Sequence, residues 1–75
     1  MDRMNTEENK TTVVKPKCKL IGENGNIYNL MTITSKTLKE YGQEDKAKEM
    51  FNRITTTANS YHEALGIIME YVDIV

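Results

Sequence analysis

The 75-residue chain has no tryptophan, one cysteine, one proline and four glycines. It also lacks a long hydrophobic run: the longest, Ile67-Ile68-Met69, is three residues. Each shortage excludes something. A membrane-spanning helix needs about 20 apolar residues, and a signal-peptide core about 7–15. Neither is expected here. Cys18 alone cannot form a disulfide within the chain, whereas small secreted domains usually depend on them. The expected compartment is therefore the cytoplasm, with self-association helping a small core. One cysteine and one distant histidine, His62, do not make a zinc site. No metal or cofactor is expected. The length leaves no room for a multidomain enzyme or a dinucleotide-binding half.

What is present is ordinary: 39% hydrophobic and 28% charged residues. That composition suits a small folded domain. The net charge of −1 argues against general nucleic-acid binding, which depends on neutralising phosphates. The total conceals an asymmetry. Residues 13–39 hold five lysines, Lys15, Lys17, Lys19, Lys36 and Lys39, against Glu23. Residues 40–75 hold Lys46, Lys48 and Arg53 against Glu40, Glu44, Asp45, Glu49, Glu63, Glu70 and Asp73. Separate halves would make a dipolar domain, able to dock a charged partner or another copy. A single fold would mix the charges, and that is the plainer expectation.

Residues 1–12, MDRMNTEENKTT, are polar and without period. They read as a disordered tail, with one small domain over residues 13–75. Val13 to Ile21 reads as a strand, because lysines at 15, 17 and 19 alternate with Cys18 and Leu20. Pro16 marks an edge or the start of that strand. The lysine row is ordinary edge protection before it is a phosphate site. Cys18 itself reads as a small buried hydrophobe rather than a nucleophile.

Gly22-Glu23-Asn24-Gly25-Asn26 punctuates the chain. Asn-Gly is a strong hairpin signal, so Ile27–Thr34 could return as a strand. Alternatively Asn26 caps a helix. Ile27, Leu30, Met31, Thr34, Leu38 and Tyr41 follow helical spacing, which predicts a helix over Ile27–Tyr41 ending at Gly42. The β-branched Thr32-Ile33-Thr34 is its weak point. A second helix is predicted over Glu44–Thr56, with Ala47, Met50, Phe51, Ile54 and Ala58 as its apolar stripe. Thr55-Thr56-Thr57 weakens its end. Ser60-Tyr61-His62-Glu63 is a capping box and predicts a helix from Tyr61. Its core stripe is Tyr61, Ala64, Leu65, Ile68 and Val72. A second apolar row, Ile67, Tyr71 and Ile74, is expected to cover a partner unless this helix is central. Met31, Met50 and Met69 read as core filler. The ending Tyr71–Val75 could form a short strand beside residues 17–21. The fold class is thus α+β and mostly helical: an N-terminal strand and glycine loop, three helices, and a short C-terminal strand as an option.

Three stretches of this chain resemble a group of small uncharacterised proteins of bacterial phages and mobile elements. They are Lys19 to Tyr28 (KLIGENGNIY), Ser60 to Leu65 (SYHEAL) and Glu70 to Ile74 (EYVDI). That group has roughly K-L-I/V-G-x-D/N-G-N-x-F/Y near the start and M-x-W/Y-V-E/D-V at the end. The resemblance spans about residues 17–75, with Tyr28 and Tyr71 at the aromatic positions. It implies a short accessory protein acting inside a bacterial cell. It brings no catalytic residue with it.

The residues themselves offer little chemistry. A glycine loop before a helix can hold an anion, and Lys17, Lys19, Gly22, Asn24, Gly25 and Asn26 are the candidate ligand site. The loop lacks the Lys-Ser/Thr pair of a P-loop and the acidic series of an EF-hand. Making a turn and capping a helix accounts for it more simply. His62 and Glu63 are neighbours on a helix and cannot face each other as an acid–base pair. Tyr28, Ile67, Tyr71 and Ile74 are the candidate interface, since tyrosines suit partly wet contacts. The expected function is a non-enzymatic protein-interaction module of a phage or mobile element, with inhibition of a host or defence factor as one such role. Its partner is another protein, itself, or both. The alternative is a homo-oligomer that binds a small anionic ligand such as a nucleotide through the lysine strand and glycine loop. Nucleic-acid binding ranks third, and no membrane association is expected.

Overall fold

A computed structural model describes residues 15–75. The tail expected over residues 1–12 and the domain start at Val13 lie outside the described residues. The order of elements is β1 (Lys17–Cys18), α1 (Ile27–Glu40), α2 (Glu44–Thr57), α3 (Tyr61–Tyr71) and β2 (Asp73–Ile74). The α+β, mostly helical reading holds.

The first strand is shorter than the expected Val13–Ile21. Its period of two survives: Pro16, Cys18 and Leu20 are buried, while Lys15, Lys17 and Lys19 are exposed. The C-terminal strand option is realised, and β2 lies parallel to β1, with Lys17 opposite Asp73 and Cys18 opposite Ile74. Backbone bonds extend the pairing at both ends. Asp73 N–H donates to Pro16 O at 2.9 Å, and Leu20 and Ile21 N–H both donate to Val75 O at 3.0 and 3.1 Å. Proline has no N–H to give, but its carbonyl can still accept. Two short strands are marginal alone and hold because helices cover one face.

Between Cys18 and Ile27 the hairpin alternative gives way to the helix. Gly22 has φ 91°, and Glu23 N–H closes a turn onto Leu20 O at 3.1 Å. Asn24 Oδ1 accepts from Asn26 N–H at 2.9 Å, and Asn26 Oδ1 accepts from Tyr28 N–H at 2.9 Å. Two successive asparagine side chains thus steer the backbone into α1. The Asn24-Gly25 pair is not a hairpin turn, and Gly25 does not have a positive φ. The β-branched stretch stays helical because Leu30, Met31, Thr34 and Leu38 bury one continuous face. Helix α1 stops as its sequence suggests. Gly42 adopts φ 73°, its N–H reaches Lys39 O at 3.0 Å, and Gln43 N–H reaches Leu38 O at 2.8 Å. That pair of bonds is the Schellman arrangement.

Helix α2 runs one residue past the expected Thr56. The threonines do not break it, and their hydroxyls bond back to its carbonyls: Thr55 to Phe51 O at 3.0 Å and Thr56 to Asn52 O at 2.7 Å. Helix α3 begins where the capping box placed it. Ser60 Oγ accepts from Glu63 N–H at 3.1 Å, while the Glu63 carboxylate reaches one residue further back than expected, to Asn59 N–H at 2.8 Å.

Met31, Leu38, Met50 and Ile68 are fully buried at the centre, one or two from each helix. Cys18 joins them from β1, and its thiol donates to Thr37 Oγ1 at 3.5 Å. This matches a buried, structural cysteine. Three stripe residues fall outside the core instead. Tyr41, Phe51 and Tyr61 are 59%, 43% and 50% exposed, and the expected filler Met69 is 53% exposed. Each lies at a helix end or on a stripe margin, beyond the reach of a three-helix core.

Candidate functional site

The glycine loop is the site the sequence favoured, and its polar groups are already engaged. Gly22, Asn24, Gly25 and Asn26 are all exposed. Asn24 and Asn26 spend their side-chain oxygens on the backbone, and Asn29 Nδ2 donates to Asn24 O at 2.8 Å. Lys17 and Lys19 point outward from β1, and Lys19 Nζ donates to Ile21 O at 3.3 Å. Of the first amides of α1, that of Tyr28 is taken by the Asn26 side chain. The hydrogen bonds of Lys19, Asn24 and Asn26 run to the local backbone and do not converge on a common point.

A second polar cluster joins α2 to α3. Arg53 makes a two-point contact with Glu70, at 2.8 and 3.2 Å. The same guanidinium donates to the Tyr71 hydroxyl at 3.2 Å, and that hydroxyl donates to the Glu49 carboxylate. Arg53 holds the Glu70 carboxyl below its usual range, chiefly through their hydrogen bond. Burial, helped by the bond to Glu49, pushes the Tyr71 phenol up. Lys15, Lys46, Arg53, Glu49 and Glu70 border a cavity of about 260 Å³. Its cations have acidic partners: Lys15 lies 3.9 Å from Asp73, and Lys46 lies 4.0 Å from Glu49. The cluster therefore reads as a strut between helices, with its charge balanced internally.

The expected interface row is corrected here. Ile67 and Tyr71 are 9% and 8% exposed, within the chain's own core. Ile74 is half-buried against that core. The row is covered because α3 packs on both α1 and α2, and Tyr71 is tied to α2 through Arg53 and Glu49. Only Tyr28 of that set is exposed, at 67%.

Tyr28 belongs instead to a face that no apolar row on a single element foretells. It and Tyr61 border an open hollow of about 310 Å³ between the start of α1, the end of α2 and the start of α3. Met31, Ile54, Ala58 and Ala64 line its apolar wall, with Thr55 and Ser60 at the margin. Tyr61 also borders a neighbouring hollow of about 190 Å³ with Leu20, Ile21, Leu65 and Ile74. The tyrosine is a ridge between the two. Its hydroxyl stands 3.6 Å from where a β-carbon on Gly25 would lie. Ile21, 67% exposed, stands on the lip of the second hollow. No charged side chain lines either hollow.

The sequence contained a signal for Ile21. Leu20 and Ile21 are consecutive apolar residues at the end of a period-two strand, so one must face outward. Tyr61 is the first residue of its helix, where a core stripe need not yet be inward. Among the described residues, no group of three or more His, Cys, Asp and Glu side chains could hold a metal ion. No described helix is long and apolar enough to cross a membrane. No family model, curated protein or solved structure matches this chain.

Proposed function

We propose that this protein is a non-enzymatic protein-interaction module of a phage or other mobile element, working through the uncharged tyrosine face. One observation carries the reading: Tyr28 and Tyr61, 67% and 50% exposed, flank a hollow of mixed polar and apolar lining with no charged residue. Tyrosine is enriched at protein interfaces because it offers wide, partly polar contact area. The hollow lies at the lower end of the range of about 300–1,000 Å³ typical of small-molecule sites, and no acid, base or nucleophile converges in it. It suits an incoming apolar side chain better than a reacting substrate. A role as inhibitor of a host factor would follow from occluding that factor's surface. The anionic-ligand alternative has less support, because Asn24, Asn26 and Lys19 already bond within the loop.

The test is photocrosslinking in a bacterial cell. A benzophenone amino acid replaces Tyr28 in the full chain, and adducts are identified by mass spectrometry. The expected result is a discrete protein adduct that is lost when Tyr61→Lys is added. A matching probe at exposed Met69 should not yield it. No protein adduct, or equal labelling from both positions, overturns the reading. A thermal shift with a nucleotide, lost in Lys17→Ala/Lys19→Ala, would favour the alternative.

A further inference from the structure

We infer that the groove between α1 and α2 is a nucleotide-binding site, with phosphate held by Lys39 and Lys48 and the base laid on Phe51. Charge is the first argument. The groove measures about 430 Å³, its charged lining residues are Lys39 and Lys48, and no carboxylate borders it. Glu40, Glu44 and Glu49, near these lysines in sequence, are outside its lining. Among the described residues, neither lysine has an ion-pair partner. The α2–α3 cavity differs, because there Lys15, Lys46 and Arg53 each face a carboxylate. Lys39 also complements the C-terminal end of α1, but Lys48, one turn inside the start of α2, has no such role. A cleft lined by charges of one sign concentrates ions of the other.

The order of side chains along the groove is the second argument, and it separates a nucleotide from a bare anion. A turn over residues 41–43 joins the two helices, so Lys39 and Lys48 lie toward that end. Phe51 and Asn52 follow Lys48 by about one helical turn, about 5 Å along α2. Phe51 is 43% exposed, which sets an open aromatic ring beside two cations. That pairing suits a nucleotide, because cations take phosphate and an aromatic face takes any base. The Asn52 side-chain amide has no partner among the described residues. The Thr55 hydroxyl beside it is already spent on Phe51 O and Asn52 O. A free amide offers both a donor and an acceptor to a base edge. The groove's size also falls in the range of about 300–1,000 Å³ for small-molecule sites. A net charge of −1 disfavours a long polyanion, so the ligand is a free nucleotide rather than a nucleic-acid strand.

The experiment is an amide NMR titration of the full chain with ADP. Shifts should cluster along the groove, with a dissociation constant of about 1 mM or tighter. Adenosine and inorganic phosphate each fill half of the site and should bind at least about tenfold more weakly. Lys39→Ala/Lys48→Ala should weaken ADP by about tenfold or more. Phe51→Leu keeps an apolar side chain but removes the ring, and should weaken ADP by about fivefold or more. Lys17→Ala/Lys19→Ala and Tyr61→Lys should leave ADP binding unchanged, which keeps this site separate from the glycine loop and from the tyrosine face. The spectra of the unliganded variants check that each is folded. No shifts up to about 10 mM ADP, or shifts centred on the glycine loop, overturn the inference. So does inorganic phosphate binding as tightly as ADP, or ADP binding indifferent to Phe51→Leu. A hexaglutamate peptide or a single-stranded oligonucleotide that binds more than about tenfold tighter than ADP also overturns it, and gives the groove to a macromolecule.

Discussion

Tyr61 and Tyr71 bound the same helix, α3, and their surroundings differ. Tyr71 is 8% exposed, and its hydroxyl sits between Glu49 and Arg53. Tyr61 is 50% exposed and borders two hollows without charged lining residues. At one end the phenol's polar tip has fixed partners and its ring is covered. At the other the ring itself is on offer. A buried phenol needs hydrogen bonds because desolvating an unpaired hydroxyl is costly. The difference shows which end is finished within the chain and which is left for a contact.

Substitutions can sharpen that contrast. The largest effect is expected at Tyr71→Ala, which should cost about 3 kcal/mol in urea unfolding, from lost burial and the hole left behind. Tyr61→Ala should cost less than about 1 kcal/mol, since half of its surface is already wet. Equal losses would break the contrast. Next comes the start of the helix: Ser60→Ala removes the acceptor for Glu63 N–H and should cost about 1 kcal/mol.

A similar loss is expected at Gly22→Ala, about 1 kcal/mol, because φ 91° disfavours a side chain. Gly25→Ala should be nearly neutral: its φ is not positive, and the new methyl would only touch Tyr61. Both can be read by thermal unfolding, and a reversed order would show that the loop is built differently.

The smallest effect concerns pH. Tyr71 has its phenol raised, first by burial, above the ordinary value of about 10. The folded state therefore prefers the neutral form. The stability this contributes is complete below pH about 10 and lost as pH rises through the folded value. Glu70 has the opposite sign. Its carboxyl is lowered by Arg53, so its small contribution is present above pH about 4.3 and fades as pH falls. Unfolding midpoints measured from pH 9 to about 11 should drop in the natural chain and drop less in Tyr71→Phe.

Much of the fold could be read from local pattern. The alternation of lysines with Cys18 and Leu20 marked the strand's inner face. Asn26, Gly42 and Ser60 marked helix boundaries, since each supplies a bond or a backbone angle that a helix end requires. Met31, Leu38, Met50 and Ile68 sat on helical stripes and are core. The candidate site was less legible. The glycine loop drew attention because its residue types also hold anions, yet here they serve the turn and cap. Ile67 and Tyr71 appeared to be surplus because a helical wheel shows a second apolar row but not what lies beside it.

The sequence by itself determined where the helices start and stop, which strand face is buried, and that no disulfide holds the chain. These depend on side chains acting within a few residues of their own backbone. Tertiary structure decided that the strand option beside β1 is taken, that α3 packs on both other helices and so covers Ile67 and Tyr71, and that Tyr28, Tyr61 and Ile21 border adjoining hollows. Those three residues are far apart in sequence and on different elements. Their proximity comes from how helices and strands pack together, and no periodicity within one element encodes it.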